Sequence, residues 1–150
     1  MDAEDVIRVY RRRLGHGIRV WLVGGWGIDA LLGEQTRPHH DLDVIILLDD
    51  VARTRELLAY DGYTLKELWS ENRWFADSRG IKVPTAFVLH DAEGREFDAH
   101  AMRLDDQGNG IPAWEAEGLV FKQRGLAGEG VVAGVAVRCF SPELQMRCHT

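Results

Sequence analysis

The chain has 150 residues, of which 45% are hydrophobic and 28% are charged, and its formal net charge at pH 7 is -6. This length predicts one domain spanning residues 1–150, and the composition excludes the weakly hydrophobic class of disordered proteins. The negative balance argues against a long nucleic-acid-binding track, because such tracks depend on clustered lysine and arginine. We therefore expect small-molecule partners and no nucleic acid.

Membrane and export signals are not recognisable in the sequence. No apolar run approaches the roughly 20 residues that a membrane-spanning helix needs, and residues 1–5 are acidic rather than signal-like. Cys139 and Cys148 match neither a zinc-binding nor a disulfide spacing pattern. These observations predict a cytoplasmic protein with reduced thiols and no membrane partner.

The first part of the chain predicts alternating helices and strands. Apolar residues at helical spacing indicate helices, and short runs that are apolar on both faces indicate central strands. The predicted order is a helix over 6–14, a strand over 20–23, a glycine turn at 24–25, a helix over 26–32 capped by Gly33, a strand over 42–48 and a helix from 49 to 60.

The second part predicts shorter strands in an antiparallel extension of the sheet. These strands cover residues 63–69, 73–76, 81–90 and 95–102, and residues 111–114 are irregular. Two further strands, 119–121 and 131–140, flank a glycine-rich turn at 125–130, and a last helix begins at Ser141 and runs to Thr150. The predicted fold class is α/β (α+β), with a mixed β-sheet flanked by helices.

Asp41 and Asp43 are the first candidate functional residues. Side chains alternate along a strand, so these two carboxylates share one face while Leu42 points to the other. Like charges this close repel unless a cation sits between them, and hard oxygen ligands suit Mg²⁺ or Mn²⁺. The pair therefore predicts a site for one or two divalent cations.

Gly24 and Gly25 predict the complementary half of the site. A glycine turn before a helix lets backbone N–H groups approach an anion, and the helix start carries a partial positive charge. Each signal alone is common in proteins without any ligand. In this order and at this separation, they predict binding of a metal-complexed nucleoside triphosphate.

A third acid is expected on the strand over 95–102. Glu96, Asp98 and His100 share one face of that strand, and phosphoryl or nucleotidyl transfer uses a carboxylate near the acceptor hydroxyl. Asp98 is the first choice and Glu96 the second. A solvated strand face is the alternative interpretation, and His100 either orients Asp98 or is a hydrogen-bonded structural histidine.

The remaining polar candidates are weighed against ordinary structural roles. Arg37 lies in the loop before Asp41 and is a candidate ligand for the triphosphate, against a plain surface position. His39 and His40 alternate faces, imidazole is a poor Mg²⁺ ligand, and we favour a loop-ordering role. Asp29 is expected in solvent. Core packing is favoured over substrate stacking for three tryptophans: Trp69, Trp74 and Trp114.

The run from residue 21 to 46 resembles the signature of the nucleotidyltransferase superfamily. More closely, residues 24–33 (GGWGIDALLG), 36–37 (TR) and 40–43 (HDLD) resemble the small antibiotic nucleotidyltransferases of the aminoglycoside 2''-adenylyltransferase and lincosamide nucleotidyltransferase type. Residues 94–100 (GREFDAH) match the strand that carries the third acid of that group, and residues 134–149 resemble its tail. The resemblance thus extends over most of the chain.

The resemblance implies a nucleotidyltransferase fold and a metal-dependent enzyme. The enzyme would transfer a nucleoside monophosphate from a triphosphate to a hydroxyl of an aminoglycoside or lincosamide antibiotic and release pyrophosphate. ATP is the first choice for the triphosphate. Asp41, Asp43 and Asp98 would hold Mg²⁺ and Asp98 would also activate the acceptor, with Gly24, Gly25 and Arg37 on the nucleotide. Members of this group continue with further helix beyond the position of His149, and a homodimer is one way of completing the acceptor wall.

A different class of function stays open from the sequence. A nucleotide-binding or antitoxin-like regulatory module could keep the same fold without transfer activity. A metal-dependent hydrolase is the third interpretation, and the histidines have no ligand spacing that supports it.

Overall fold

A computed structural model describes residues 1–114 and 116–149 of the protein. Its helices are α1 (Ala3–Gly15), α2 (Gly24–Leu32), α3 (Val51–Tyr60) and α4 (Pro142–His149). Its strands are β1 (Val20–Val23), β2 (Asp41–Leu47), β3 (Thr64–Leu68), β4 (Trp74–Ala76), β5 (Lys82–Pro84), β6 (Ala86–His90), β7 (Glu96–Leu104), β8 (Gly110–Pro112), β9 (Gly128–Val132) and β10 (Val135–Cys139). Among the described residues, no helix combines the length and apolarity needed to cross a membrane.

The described strands form one mixed sheet and one small hairpin. The order in the main sheet is β3-β6-β7-β2-β1-β10-β9, with β8 paired to β7, and β4 pairs with β5 separately. Strand β2 runs antiparallel to β1 and parallel to β7, and β1 runs parallel to β10. The predicted mixed sheet with helices and an antiparallel extension is confirmed.

Strand β2 contributes side chains to both layers of the protein. Leu42 and Val44 pack in the larger core, which joins one face of the sheet to α1, α2 and α3. Ile45 belongs to a smaller cluster on the opposite face. Because strand side chains alternate, Asp41 and Asp43 lie on the same face as Ile45. The carboxylates therefore project from the thinly covered face of the sheet.

The prediction of one strand over 81–90 is wrong. This region forms two strands, β5 and β6, which belong to different sheets. At the break, the Thr85 N–H donates to Asn72 Oδ1 at 2.8 Å and the Thr85 carbonyl accepts from the Ala101 N–H. Pro84 has no N–H to extend the ladder. These bonds explain why the apolar run does not continue as one strand.

The glycine-rich C-terminal part also departs from the prediction. The region predicted as a turn, 125–130, is split between a short 3₁₀ helix (Gln123–Ala127) and β9, and 131–140 contains the hairpin between β9 and β10. Residues 119–121 form only an isolated bridge between Phe121 and Gly110. Of the residues expected to be irregular, 111–112 belong to β8, which pairs with β7. Pro112 is tolerated there because β8 is at an edge. The final helix is present, and Thr150 lies outside the described residues.

Candidate active site

The three predicted acids meet on adjacent strands. Asp41 and Asp43 lie on β2 and Asp98 on β7, and Asp43 is directly opposite Asp98 in the parallel register. Ligand oxygens of the three carboxylates lie within 4.8 Å of one another. The second choice for the third acid, Glu96, lies outside this group: it pairs with Lys66 at 2.7 Å and with His40 at 3.2 Å. The register therefore favours Asp98.

Electrostatic repulsion makes this carboxylate cluster fit a cation. Burial, together with the charges of Asp41 and Asp98, raises the pKa of Asp43 from 3.8 to about 8. Burial also raises the pKa of Asp98, and this effect is opposed by a hydrogen bond from Trp69 and by the nearby His100. Hard carboxylate oxygens are the ligand type that Mg²⁺ and Mn²⁺ prefer. The residues present therefore fit a divalent cation.

The start of α2 lies against the carboxylates. The helix begins at Gly24 rather than at the predicted Trp26, and no side-chain hydrogen bond caps it. Gly24 has a φ of +62°, and a Cβ there would overlap the Asp43 carboxylate. The missing side chain thus leaves room for the Asp43 carboxylate against the start of α2. The helix start retains N–H groups and a positive partial charge that suit a phosphate.

Gly25 has a different neighbour from the one expected. A Cβ at this position would overlap the imidazole of His39. His39 is 9% exposed, packs against Trp26 with ring centroids 5.0 Å apart, and bonds Asp29 at 2.5 Å. The geometry agrees with the loop-ordering role favoured for His39. His40, in contrast, is exposed.

The expectation that Asp29 lies in solvent is wrong. Its side chain is 3% exposed and accepts hydrogen bonds from the N–H and hydroxyl of Thr36, at 3.0 and 2.7 Å. Asp29 also bonds His39, so α2 holds the following loop at two residues, Thr36 and His39. Sequence position suggested an exposed helix face, but the loop folds back over it. Arg37 lies in this loop with an exposed side chain.

A cleft of about 470 Å³ adjoins the carboxylates. It is lined by Gly24, Asp43 and Asp98, by His100, and by Gln145 from α4. The apolar part of its wall includes Trp114, Leu119, Phe121 and Phe140. A ligand that reaches the carboxylates could therefore extend over an apolar surface.

The three tryptophans take different positions. Trp114 packs edge-on against His100, with ring centroids 4.8 Å apart, and also lines the cleft. Trp74 is 53% exposed, so the expected core packing is wrong for this residue. Trp69 donates its indole N–H to Asp98 Oδ1 at 2.8 Å. The sequence contained no spacing signal for this last contact, because Trp69 lies between β3 and β4 and Asp98 lies on β7.

An uncapped helix start beside carboxylates on two parallel strands of a mixed sheet is the arrangement that the nucleotidyltransferase motifs of the sequence predicted. The comparisons with known proteins specify the family. The chain belongs to the aminoglycoside-2''-adenylyltransferase family, whose model matches residues 5–150. Its family is thus one of antibiotic-modifying adenylyltransferases, and the predicted resemblance is confirmed.

Individual relatives agree with this assignment. A lincosamide resistance protein of Staphylococcus haemolyticus is 26% identical over 133 residues, which cover 89% of this chain and 74% of the relative. The fold is similar to that of the lincomycin-bound lincosamide antibiotic adenylyltransferase LnuA, with a TM-score of 0.79 and 24% identity over 98% of this chain and 85% of that one. It is also similar to ANT(2'')-Ia in complex with adenylyl-2''-tobramycin, with a TM-score of 0.69 and 23% identity over 93% and 68% of the two chains.

Proposed function

We propose that this protein transfers a nucleoside monophosphate from a metal-bound triphosphate to a hydroxyl of an antibiotic. ATP is the proposed donor, an aminoglycoside or a lincosamide is the proposed acceptor, and pyrophosphate is the second product. The observation that carries the proposal is the group of three carboxylates whose oxygens lie within 4.8 Å of one another. Family membership supports an enzyme, and it gives no support to an inactive nucleotide-binding module.

The reaction forms one phosphorus–oxygen bond, breaks another, and moves one proton. The acceptor oxygen attacks the α-phosphorus, and the bond from that phosphorus to the bridging oxygen breaks, so pyrophosphate leaves. The proton of the acceptor hydroxyl passes to Asp98. A carboxylate within reach of the acceptor hydroxyl can serve as this general base.

Asp41, Asp43 and Asp98 are the residues proposed to hold one or two Mg²⁺ ions, and Mn²⁺ has the same ligand preference. The bound metal would supply charge neutralisation at the phosphates during transfer. The first N–H groups of α2, at Gly24 and Gly25, are proposed to bind phosphate oxygens. Arg37 is proposed as a further phosphate ligand from the adjoining loop.

Positioning accounts for most of the proposed catalysis. Asp43 and Asp98 are fixed by the β2–β7 register, and Gly24 brings the helix start against Asp43. Holding two reactants in line can supply several kcal/mol of the barrier reduction, on the order of 7–11 kcal/mol in well-oriented model reactions. The chain therefore needs no covalent nucleophile of its own.

An acceptor screen tests the proposal. The protein is incubated with Mg²⁺, each of the four ribonucleoside triphosphates, and a panel of aminoglycosides and lincosamides, and the products are examined by mass spectrometry. We expect one antibiotic class to gain a nucleoside monophosphate, with release of pyrophosphate and loss of the reaction in EDTA. Nucleotide binding without modification of any acceptor would instead identify the binding module.

A further inference from the structure

The segment between β3 and β4 contacts the active-site strand at two points. Trp69 donates its indole N–H to Asp98 Oδ1 at 2.8 Å. Two residues further on, Glu71 Oε2 lies 3.1 Å from His100 Nε2. Asp98 and His100 are themselves two residues apart on β7, so they share one face. One short segment therefore contacts both polar residues that β7 presents to the cleft.

The segment is held in place by bonds of its own. The backbone N–H of Trp69 donates to the Ala86 carbonyl at 3.0 Å. The backbone N–H of Asn72 donates to the Trp69 carbonyl, also at 3.0 Å. Asn72 Oδ1 accepts from the N–H groups of Thr85 and Ala86, at 2.8 and 3.0 Å. The indole is thus presented from a backbone that is fixed on both sides.

Burial alone does not require the bond between Trp69 and Asp98. Trp69 is only partly buried, so water could satisfy its indole N–H in place of Asp98. A neutral hydrogen-bond donor suits a metal site better than a positively charged side chain would. An indole N–H is a donor only and carries no charge, so it orients a carboxylate without competing with a bound cation.

We propose that Trp69 is a positioning residue of the active site, which fixes the Asp98 carboxylate so that its second oxygen is available to the divalent cation and the acceptor. This inference rests on the metal site of the proposed function. The bond occupies Oδ1, and His100 Nδ1 lies on the same side, 3.8 Å from that oxygen. Neither contact involves Oδ2, which we assign to the reacting groups. Partners that orient metal-binding side chains typically change metal affinity or activity about 10- to 100-fold when they are removed.

Mn²⁺ binding to the metal-free protein is the direct test, measured by isothermal titration calorimetry. Trp69→Phe keeps an aromatic ring and removes the donor, and we expect Mn²⁺ to bind about 10-fold more weakly. Trp74→Phe makes the same change at a tryptophan that is 53% exposed, and its affinity should equal that of the parent. Equal Mn²⁺ affinity in the parent and Trp69→Phe, or no binding to the parent, would overturn the proposal.

A second measurement does not depend on the folding of a variant. In the ¹⁵N-labelled parent protein, the indole resonance of Trp69 should shift when Mg²⁺ is added, and that of Trp74 should not. An unmoved Trp69 resonance overturns the proposal. Where an acceptor is modified, Trp69→Phe should lower kcat about 10-fold and leave the KM of the antibiotic within two-fold.

The two proposals fail separately. If the acceptor screen finds no product but Trp69→Phe still weakens Mn²⁺ binding, the positioning role stands and the proposed function falls. If antibiotics are modified and Trp69→Phe binds Mn²⁺ like the parent, the positioning role alone is overturned.

Discussion

Asp43→Asn should make the metal-free protein more stable at neutral pH, although it removes an acid from the site. Burial and the charges of Asp41 and Asp98 raise the pKa of Asp43 from 3.8 to about 8. A carboxyl with a raised pKa keeps, in the folded state, a proton that the unfolded chain has released. The free energy of unfolding therefore falls as the pH rises from about 4 towards 8, and asparagine removes this fall.

The size of the effect follows from that pKa. The interval from 3.8 to pH 7 covers about three pKa units, and each unit corresponds to about 1.4 kcal/mol. Asp43→Asn is expected to raise the free energy of unfolding by up to about 4 kcal/mol at pH 7 and by almost nothing at pH 4. Bound Mg²⁺ neutralises the same carboxylates, so it should stabilise the parent. The difference in free energy of unfolding between the parent and Asp43→Asn should then disappear.

Urea unfolding in EDTA and in Mg²⁺, at several values between pH 4 and pH 8, measures this effect. Asp50→Asn is the matched control, because burial raises the pKa of Asp50 outside the carboxylate cluster. It should gain stability at pH 7 equally with and without Mg²⁺. The reasoning is refuted if Asp43→Asn is no more stable than the parent in EDTA at pH 7, or if Mg²⁺ stabilises both proteins equally.

Three further substitutions, one of them a control, test the structure around the site. Gly24→Ala and Gly33→Ala both place a side chain at positive φ, with an expected loss of roughly 1–2 kcal/mol in urea unfolding, but only the first also overlaps the carboxylate of Asp43. Calorimetry should show lost Mn²⁺ binding in Gly24→Ala alone, and equal binding in both would contradict this. Asp29→Ala leaves the buried His39 without its partner and should lose about 3 kcal/mol in urea unfolding; a loss below about 1 kcal/mol would show that the pair is not structurally important.

The acid cluster could be predicted because strand alternation is a local rule. Asp41 and Asp43 are two residues apart, and their strand is apolar on the other positions, so one shared face follows directly. Asp98 is distant from this pair in the sequence. Strand alternation predicted that it shares a face of its own strand with Glu96 and His100, but not which strand lies beside it. The parallel β2–β7 register, with Asp43 opposite Asp98, supplies that information.

The contacts that the sequence could not predict depend on how segments fold back on each other. Asp29 has the spacing of an exposed helix residue, and it is buried because the loop containing Thr36 and His39 closes over it. Trp69 reaches Asp98 across the strand order β3-β6-β7, which no local pattern encodes. A continuous apolar run likewise does not reveal the break at Thr85, where side-chain acceptors replace the ladder.

Transfer assays on Asp41→Asn and Asp43→Asn show whether the carboxylate cluster carries the proposed reaction. Each variant is incubated with Mg²⁺, ATP and the antibiotics that the parent modifies, and product is measured by mass spectrometry after the fold has been checked by circular dichroism. The account predicts folded variants whose product formation falls at least about 100-fold, since transition-state charge is no longer neutralised. Full activity in both folded variants would contradict it.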